Sequence, residues 1–392
     1  MLESKYLIVG GGMAGHAAAA QLREIDPDGA VALLGEEPER PYARPPLSKA
    51  AWHAKDEQGV FLPEAVGLEL RTGRRAVALD PERREVRDDR GEVHRYERLL
   101  LATGGAPRRL PLDAGDGRIV YFRTLADFRR LRDDPGRRVV VIGGGFIGSE
   151  LAASLASTGR EVTMVFPAPA ICARVFPPDL AAAVTQRFRD EGVTVIEGES
   201  VGAVERRGEL TEVRTGAGET LVADAVVAGL GIRPSTALAE AAGLRCADGV
   251  VVDAFLETSA PGVFAAGDVA RFPCAPLGGP VRIEHEDAAL TMGRAAARNM
   301  AGARERYDHL PFFYSDLFDL GYEAVGRIDS RLETVASWTD PFREGVVYYL
   351  DERDRVLGVL LWGTFGKVDA ARELIVRGGP VRREGLERAI AR

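Results

Sequence analysis

Cysteine is scarce in this chain of 392 residues, which contains only Cys172, Cys246 and Cys274. No two of them lie close enough along the sequence for a C-x-x-C motif or a slightly wider dithiol. This spacing excludes a local dithiol redox relay and a zinc ribbon. The five histidines show no paired spacing of the kind that binds metal ions, so we expect no metal site.

Lysine is scarce as well, because only Lys5, Lys49, Lys55 and Lys367 occur among 51 basic residues. Lysine carries a compact ammonium group whose pKa responds to its surroundings, whereas arginine stays charged. A lysine in such an arginine-rich chain is therefore a candidate for chemistry, although its presence could also be chance.

Long apolar runs are missing too, and none approaches the roughly 20 residues that a membrane-spanning helix needs. The first residues show neither the basic segment nor the cleavage motif of a signal peptide, so we expect a cytoplasmic protein. The net charge of −8 argues against nucleic acid as the main partner. Its length of 392 residues gives the chain room for two or three domains, and its 46% of apolar residues is typical of a globular protein.

The first informative stretch is an apolar run, residues 6–9, that enters a loop with Gly10, Gly12 and Gly15 in G-x-G-x-x-G spacing. A small-residue helix pattern and a second apolar run follow, and Glu36 comes after them. Glycines at these positions allow a tight turn, close approach of a pyrophosphate and close helix packing, and an acid can bind ribose hydroxyls. The order predicts a dinucleotide site; a glycine turn without function is the alternative.

The same pattern occurs a second time, where residues 138–142 lead into Gly143, Gly145 and Gly148. Glu150 follows at the start of another small-residue helix. Two such units predict two dinucleotides, a held flavin and a visiting nicotinamide. Two copies of one cofactor domain are the alternative.

Other segments supply candidate ligands. A proline-rich stretch, residues 37–49, carries Arg44 and Lys49 and suits an anionic cofactor, but a plain surface connection explains it equally well. Asp268 follows a buried-looking apolar run, and an acid there needs partners. From residue 310 onward, aromatic residues predict a third, strand-containing domain with an aromatic core.

Periodicity predicts helices over residues 122–133, 149–158, 177–189, 288–300 and 368–377. Alternating stretches predict short strands over residues 66–97 and 193–228.

Combined, these motifs resemble those of flavoprotein pyridine-nucleotide reductases in the branch without a redox disulfide, which includes ferredoxin and rubredoxin reductases. The resemblance rests on both glycine loops, Arg-Pro-Pro-Leu-Ser-Lys49 and Ala-Ala-Gly-Asp268. Residues 165–167, 283–285, 313–317 and 321–326 are similar to apoptosis-inducing factor and its bacterial relatives. The resemblance covers essentially the whole chain.

This resemblance implies an α/β fold with two Rossmann-type dinucleotide-binding domains and a C-terminal α+β domain. The FAD domain would be split between residues 1–115 and 240–305, and the NAD(P)H domain would cover 116–239. The C-terminal α+β domain would cover 306–392.

The resemblance also implies the functional residues. Lys49 and Glu150 would pair beside the flavin, although Glu150 could simply be an acid at a helix start, and Phe146 would cover the flavin. The residues implied to bind FAD or the nicotinamide dinucleotide are Gly10, Gly12, Gly15, Glu36, Arg44, Lys49, Thr103, Gly104, Gly143, Gly145, Gly148, Gly231, Gly267, Asp268, Glu284, His285 and Tyr314.

Two positions depart from the family pattern. Ala168 stands where an acid would bind the NADH ribose, and Arg174 is the nearest arginine in sequence. We expect NADH as the donor and leave NADPH open. Tyr314 stands where bacterial relatives of apoptosis-inducing factor often carry tryptophan.

Three functions are compatible with these observations. The first is an electron transferase that uses FAD and NADH to reduce a small iron–sulfur carrier of the ferredoxin or rubredoxin type. The second is an NADH oxidase or diaphorase using oxygen or quinones; oxidases with a redox cysteine are disfavoured, because no cysteine lies near Lys49 in the sequence. The third is an NADH-responsive redox-sensing interaction protein. The oligomeric state is left open, a homodimer included.

The C-terminal tail offers one hint of a partner, because its arginines outnumber Glu373, Glu384 and Glu387. A solvated helix face is the simpler interpretation, and a docking patch for an acidic redox protein is the alternative. These arginines are Arg372, Arg377, Arg382, Arg383, Arg388 and Arg392.

Overall fold

The computed structural model describes residues 2–386 and 388–390, so Glu387 and Arg392 of the predicted basic tail lie outside the described residues. Its α-helices are α1 (Met13–Ile25), α2 (Leu125–Arg132), α3 (Phe146–Ser157), α4 (Pro178–Asp190), α5 (Ala237–Ala241), α6 (Glu286–Met300), α7 (Val368–Arg377) and α8 (Arg383–Leu386).

The β-strands are β1 (Leu2–Val9), β2 (Val31–Leu34), β3 (Leu68–Arg71), β4 (Ala76–Asp80), β5 (Glu85–Asp88), β6 (Val93–Leu101), β7 (Gly105–Pro107), β8 (Ile119–Tyr121), β9 (Arg138–Ile142), β10 (Glu161–Phe166), β11 (Thr194–Glu197), β12 (Val201–Arg207), β13 (Leu210–Thr215), β14 (Thr220–Ala223), β15 (Ala225–Ala228), β16 (Ile232–Pro234), β17 (Val250–Val251), β18 (Val263–Ala265), β19 (Ala270–Cys274), β20 (Gly279–Val281), β21 (Phe312–Leu317), β22 (Leu320–Gly326), β23 (Glu333–Asp340), β24 (Glu344–Leu350) and β25 (Val356–Trp362).

The chain forms two compact units. Unit 1 contains Met1–Ala43, Glu57–Ala106 and Arg233–Phe312. Unit 2 contains Arg44–Asp56, Pro107–Ile232 and Phe313–Arg392. The predicted boundaries of three domains stay a prediction.

Unit 1 is built on a sheet in the order β3-β2-β1-β6-β5-β4, with β18 also paired to β6. The strands β3, β2, β1, β6 and β18 are parallel to one another, whereas β5 runs antiparallel to β6. Ile8 stands opposite both Leu33 and Leu100. Helices α1 and α6 approach closely, since a Cβ at Gly293 would lie 2.3 Å from the Ala14 carbonyl oxygen. The small residues of both helices permit this contact.

Unit 2 contains a five-stranded sheet in the order β11-β10-β9-β15-β8, whose paired strands are parallel. A second five-stranded sheet, β21-β22-β25-β24-β23, is formed by the C-terminal part of the chain. Trp362, Tyr322, Tyr348 and Tyr349 are fully buried there, so the predicted aromatic core is confirmed.

The α/β class is confirmed, and so are the predicted strands and helices, with shifted ends in some helices. Helix α2 begins three residues later than predicted, because the Thr124 side chain and Asp127 form a capping box. Helix α6 begins two residues earlier, because Glu286 and Asp287 suit the positive end of a helix. Helix α7 matches its predicted range, residues 368–377.

In the described part of the chain, none of the helices combines the length and the apolar character that crossing a membrane requires.

Candidate functional site

The first glycine loop forms a cradle at the start of α1. Gly10 has φ +120°, and a Cβ there would lie 2.1 Å from the Ala102 carbonyl oxygen. A Cβ at Gly15 would lie 2.0 Å from the Gly10 carbonyl oxygen, so neither position tolerates a side chain. Gly12 has no protein atom within 4 Å of such a Cβ, and it offers no side-chain cap to the helix that begins at Met13. The open space beside a helix N-terminus fits a pyrophosphate.

The second glycine loop repeats this geometry at the start of α3. Gly143 has φ +118°, and its Cβ would lie 2.4 Å from the Gly229 carbonyl oxygen. The Cβ of residue 148 would lie 2.0 Å from the Gly143 carbonyl oxygen, whereas Gly145 has open space. Both loops therefore fit one dinucleotide each, in the two different units.

The residues after the second strand of each dinucleotide unit differ. Glu36 is exposed two residues after the end of β2, where its carboxylate can accept hydrogen bonds from a ribose. Ala168 stands two residues after the end of β10, so the two positions correspond in the structure. A neutral methyl group therefore replaces the acid in the second unit.

Predicted cofactor residues also lie near the ends of strands in unit 1. Thr103 and Gly104 follow β6 and bind the segment of unit 1 that contains Ser235. The Thr103 hydroxyl donates a hydrogen bond to the Ser235 carbonyl oxygen at 2.9 Å. The Ser235 amide donates in turn to the Gly104 carbonyl oxygen. Gly231 in unit 2 has φ +77° with open space around a Cβ.

Asp268 lies in a short 3-10 helix, Gly267–Val269, just after β18. Gly267 has φ +74°, and a Cβ there would lie 2.9 Å from the Cβ of Ala14. The guanidinium of Arg282 donates to the Asp268 carbonyl oxygen at 3.3 Å and to the Glu284 carboxylate at 2.7 Å.

His285 is the N-cap residue of α6 in unit 1. Burial lowers the pKa of His285 to about 4, against the opposing effect of the Asp268 and Asp287 charges. Its imidazole is therefore neutral near pH 7. Asp287, in the first turn of the same helix, accepts hydrogen bonds from His309 at 2.6 Å and from the Phe312 amide at 3.2 Å.

The proline-rich loop with Lys49 is tied to the helices of unit 2. It forms two short 3-10 helices, Pro45–Ser48 and Ala50–Trp52. The Ser154 hydroxyl on α3 donates to the Ser48 carbonyl oxygen at 2.7 Å. The Trp52 ring packs edge-on against Phe128 of α2 with ring centroids 5.0 Å apart. Arg44 donates to the Arg123 carbonyl oxygen at 2.8 Å.

A buried ion pair joins this loop to α3. The Lys49 ammonium lies 2.7 Å from Oε1 of Glu150, and their side chains are 14% and 5% exposed. The Ser315 hydroxyl donates to Oε1 at 2.6 Å, and the Ser48 hydroxyl donates to Oε2 at 2.5 Å. The Tyr314 ring centroid lies 5.5 Å from the Lys49 ammonium. The structure thus brings Lys49, Glu150 and Tyr314 together.

Phe146, the first residue of α3, packs edge-on against Phe313 with ring centroids 5.0 Å apart. Behind this pair, Tyr322 stacks on Trp362 at 5.3 Å. Burial raises the pKa of Tyr322 well above its ordinary value, and the negative charge of Glu150 adds to this effect.

The sequence did not indicate that a cysteine lies near this ion pair. The Cys172 sulfur lies 3.8 Å from the Ser149 hydroxyl, and Glu150 contributes to its electrostatics. Burial raises the pKa of Cys172 to about 12, so its thiol stays protonated and is a poor nucleophile at neutral pH.

Ser48 and Ser315 are the polar partners of Glu150 that sequence reasoning missed. Each stands next to a residue that was singled out, Lys49 or Tyr314, and this adjacency was the available signal. Which way each hydroxyl points is decided by packing.

One group in the described residues could hold a metal ion on geometric grounds, namely Asp88, Glu92 and His94. Arg74 lies 2.9 Å from Asp88, and Arg71 lies 3.0 Å from Glu92. Guanidinium groups already neutralise these carboxylates, so we assign no metal to them.

Two protein-family models match this chain. The family model described as pyridine nucleotide-disulphide oxidoreductase matches residues 4–293. A second model, for the C-terminal part of mitochondrion-associated apoptosis-inducing factor, matches residues 296–342.

Two relatives and one solved structure illustrate the similarity. The chain is 34% identical to apoptosis-inducing factor 1, mitochondrial, of Dictyostelium discoideum, covering 96% of this chain and 79% of that protein. It is 36% identical to the ferredoxin–NAD(+) reductase component of the anthranilate 1,2-dioxygenase system of Burkholderia cepacia, covering 96% and 95%. The reductase of the covalent putidaredoxin reductase–putidaredoxin complex superposes with a TM-score of 0.91 at 32% identity, covering 99% and 96%.

Proposed function

Because this chain belongs to the pyridine nucleotide-disulphide oxidoreductase family and is an FAD-dependent NAD(P)H oxidoreductase, we propose that it transfers electrons from NADH to a ferredoxin- or rubredoxin-type protein. The observation that carries this proposal is the combination of two matched glycine loops with the buried pair Lys49–Glu150.

The first loop and its neighbours would bind FAD. Gly12 leaves space for the pyrophosphate, and the exposed Glu36 carboxylate would accept hydrogen bonds from the ribose hydroxyls. The further residues proposed to bind FAD are Gly10, Gly15, Arg44, Lys49, Thr103, Gly104, Gly267, Asp268 and Glu284.

The second loop would bind the nicotinamide dinucleotide. The space beside Gly145 would take its pyrophosphate. Phe146, which is only partly buried, would shield the reacting groups. The further residues proposed to contact this nucleotide are Gly143, Gly148, Gly231, His285 and Tyr314.

Lys49 and Glu150 would support the electron transfer. FAD, when bound, supplies the acceptor for the nicotinamide hydride. The Lys49 ammonium would stabilise the negative charge that FAD would gain on reduction. A charge fixed in a buried position does so more effectively than one in water. Glu150 holds the ammonium in place at 2.7 Å.

Two observations support NADH over NADPH. Ala168, at the position that corresponds to Glu36, offers no positive charge to a 2′-phosphate. Arg189, on α4 before the adjacent strand β11, is engaged with Glu197 of that strand at 2.6 Å.

The electron acceptor is inferred from relatives whose names describe ferredoxin or putidaredoxin as their partner. The tail supplies exposed arginines at positions 377, 382 and 388, which suit an acidic carrier. Arg383 instead binds Glu333 at 2.8 Å, and Arg372 lies 3.0 Å from Asp369.

The experiment that tests the proposal is anaerobic stopped-flow mixing of the FAD-loaded protein with NADH and, separately, with NADPH. We expect rapid bleaching of flavin absorbance with NADH, and NADH-dependent reduction of a ferredoxin in steady state. Fast oxygen consumption without a carrier, together with no ferredoxin reduction, would instead favour the oxidase.

The match to the C-terminal part of apoptosis-inducing factor favours a second candidate, an NADH-responsive sensor. In this case, NADH would bleach the flavin slowly, leave a persistent long-wavelength band and change the oligomeric state, for example between a monomer and a homodimer. Sedimentation velocity with and without NADH tests this, because an unchanged profile contradicts it.

A further inference from the structure

The Glu150 carboxylate receives three hydrogen-bond donors. Lys49 and Ser315 bind Oε1 at 2.7 and 2.6 Å, and Ser48 binds Oε2 at 2.5 Å. A carboxylate has about four acceptor sites, so these donors fill most of them. With its side chain 5% exposed, Glu150 is held almost entirely by protein groups.

The donors come from two other segments of unit 2. Ser48 ends the 3-10 helix Pro45–Ser48 and directly precedes Lys49, whereas Ser315 lies in β21. Both serines are buried, with exposures of 2% and 1%. Ser154, one turn after Glu150 on α3, also binds the Ser48 carbonyl oxygen. The ammonium and the carboxylate are therefore fixed by contacts from α3, from the loop and from β21.

The two serine hydroxyls change how much positive charge Lys49 presents to a nearby ligand. A lone carboxylate 2.7 Å away would offset most of the ammonium charge at any nearby ligand. Hydrogen bonds to a charged acceptor are about twice as strong as neutral ones, and they spread the negative charge onto the donors. Lys49 has three N–H donors and gives one to Glu150, so the carboxylate uses only part of its donor capacity.

We propose that Ser48 and Ser315 are positioning residues that hold the Glu150 carboxylate and thereby set how much positive charge Lys49 presents to bound FAD. This inference rests on the function proposed above. The competing explanation is that both hydroxyls merely satisfy a buried carboxylate. Only the first explanation predicts a change in the midpoint potential of the flavin.

The test compares Ser315→Ala and Ser48→Ala with the wild type, all loaded with FAD. Without one hydroxyl, the negative charge of Glu150 is felt more strongly and disfavours reduction. We expect the equilibrium constant for two-electron reduction to fall roughly tenfold in each variant, which corresponds to a midpoint potential about 30 mV more negative. The potential is measured by anaerobic reduction with a chemical reductant against a reference dye.

Thr185→Val is the matched control. Thr185 is a buried hydroxyl of α4 in the same unit, where it donates to the Ala181 carbonyl oxygen at 2.8 Å and accepts from the Ile171 amide at 2.9 Å. This variant should lower the Tm and leave the midpoint potential of the flavin unchanged. It therefore separates a loss of stability from the loss of a hydrogen bond to Glu150.

Potentials equal to that of the wild type in both serine variants would overturn the inference. If Ser315→Ala does not fold, Ser48→Ala decides alone, since it acts on the other carboxylate oxygen. If neither NADH nor NADPH reduces the wild-type protein, the proposed function is wrong. The potentials measured with the chemical reductant would still decide the role of the two serines.

Discussion

At the residue scale, the proposed chemistry is concentrated at Lys49. It is one of four lysines in the chain, and the structure surrounds it with Glu150 and the Tyr314 ring. The sequence could single out Lys49 by its rarity and by the family motif. Its buried partner was predicted through the resemblance, because residues 49 and 150 are far apart along the chain.

Replacing Lys49 with alanine should slow flavin reduction by NADH roughly 10²- to 10³-fold, the loss typical of one preorganised electrostatic group. FAD should stay bound, because the glycine loop of unit 1 is untouched. Stopped-flow bleaching gives the rate, and the visible spectrum gives the FAD content. Lys55→Ala removes an exposed lysine of the same segment, and NADH should reduce the flavin of this variant at the wild-type rate. An unaltered rate in the Lys49 variant would refute the assignment.

Ala168→Glu should strengthen the preference for NADH. A carboxylate two residues after β10 would repel a 2′-phosphate and accept the ribose hydroxyls of NADH. We expect the ratio of kcat/KM for NADH over NADPH to rise about tenfold, which corresponds to about 1.4 kcal/mol.

Ala168→Gln is the control for this charge effect, because it adds a side chain of similar size without the charge. An equal increase in the two variants, or an equal change for both nucleotides, would show that Ala168 does not face the 2′ position.

At the element scale, the two strand–loop–helix units are the best predicted part of the molecule. G-x-G-x-x-G spacing imposes local geometry, and the φ values of Gly10 and Gly143, +120° and +118°, agree closely. Helix ends were less predictable. The first turn of α3 was missed, because the glycine-rich segment 143–148 indicates a loop whereas the helix already starts at Phe146.

Two glycines of the second loop should respond differently to alanine. Gly148→Ala places a Cβ 2.0 Å from the Gly143 carbonyl oxygen, so we expect about 1–3 kcal/mol of destabilisation from overpacking. Gly145→Ala meets open space at a φ of −87°, so it should preserve the Tm. The same methyl group would occupy the space proposed for the pyrophosphate and should weaken NADH binding roughly tenfold or more.

Thermal unfolding and NADH titration of both FAD-loaded variants check this prediction. Tight NADH binding by Gly145→Ala would mean that the space beside this residue does not hold the nucleotide.

At the scale of the whole molecule, we expect surface charge to govern how the proposed acceptor protein binds. Reversing Arg377, Arg382 and Arg388 to glutamate should raise the KM for an acidic ferredoxin and weaken its dependence on salt, because rim charges mainly steer association. Flavin reduction by NADH should be unaffected. Steady-state ferredoxin reduction at several salt concentrations measures the effect.

A triple reversal of Arg83, Arg84 and Arg87 is the control, since these exposed arginines lie in unit 1 and give the same change in net charge. If this control raises the KM as much as the tail variant does, docking is not located at the tail.

The sequence alone determined the α/β class, both glycine loops and the family, because these depend on local spacing and on motifs that need no distant partner. Tertiary structure decided the surroundings of Glu150. Ser48, Lys49 and Ser315 reach this carboxylate from other parts of the chain, and the direction of a hydroxyl follows from packing. It also brought Cys172 next to Ser149 and kept its thiol protonated through burial, a desolvation effect that sequence spacing does not report.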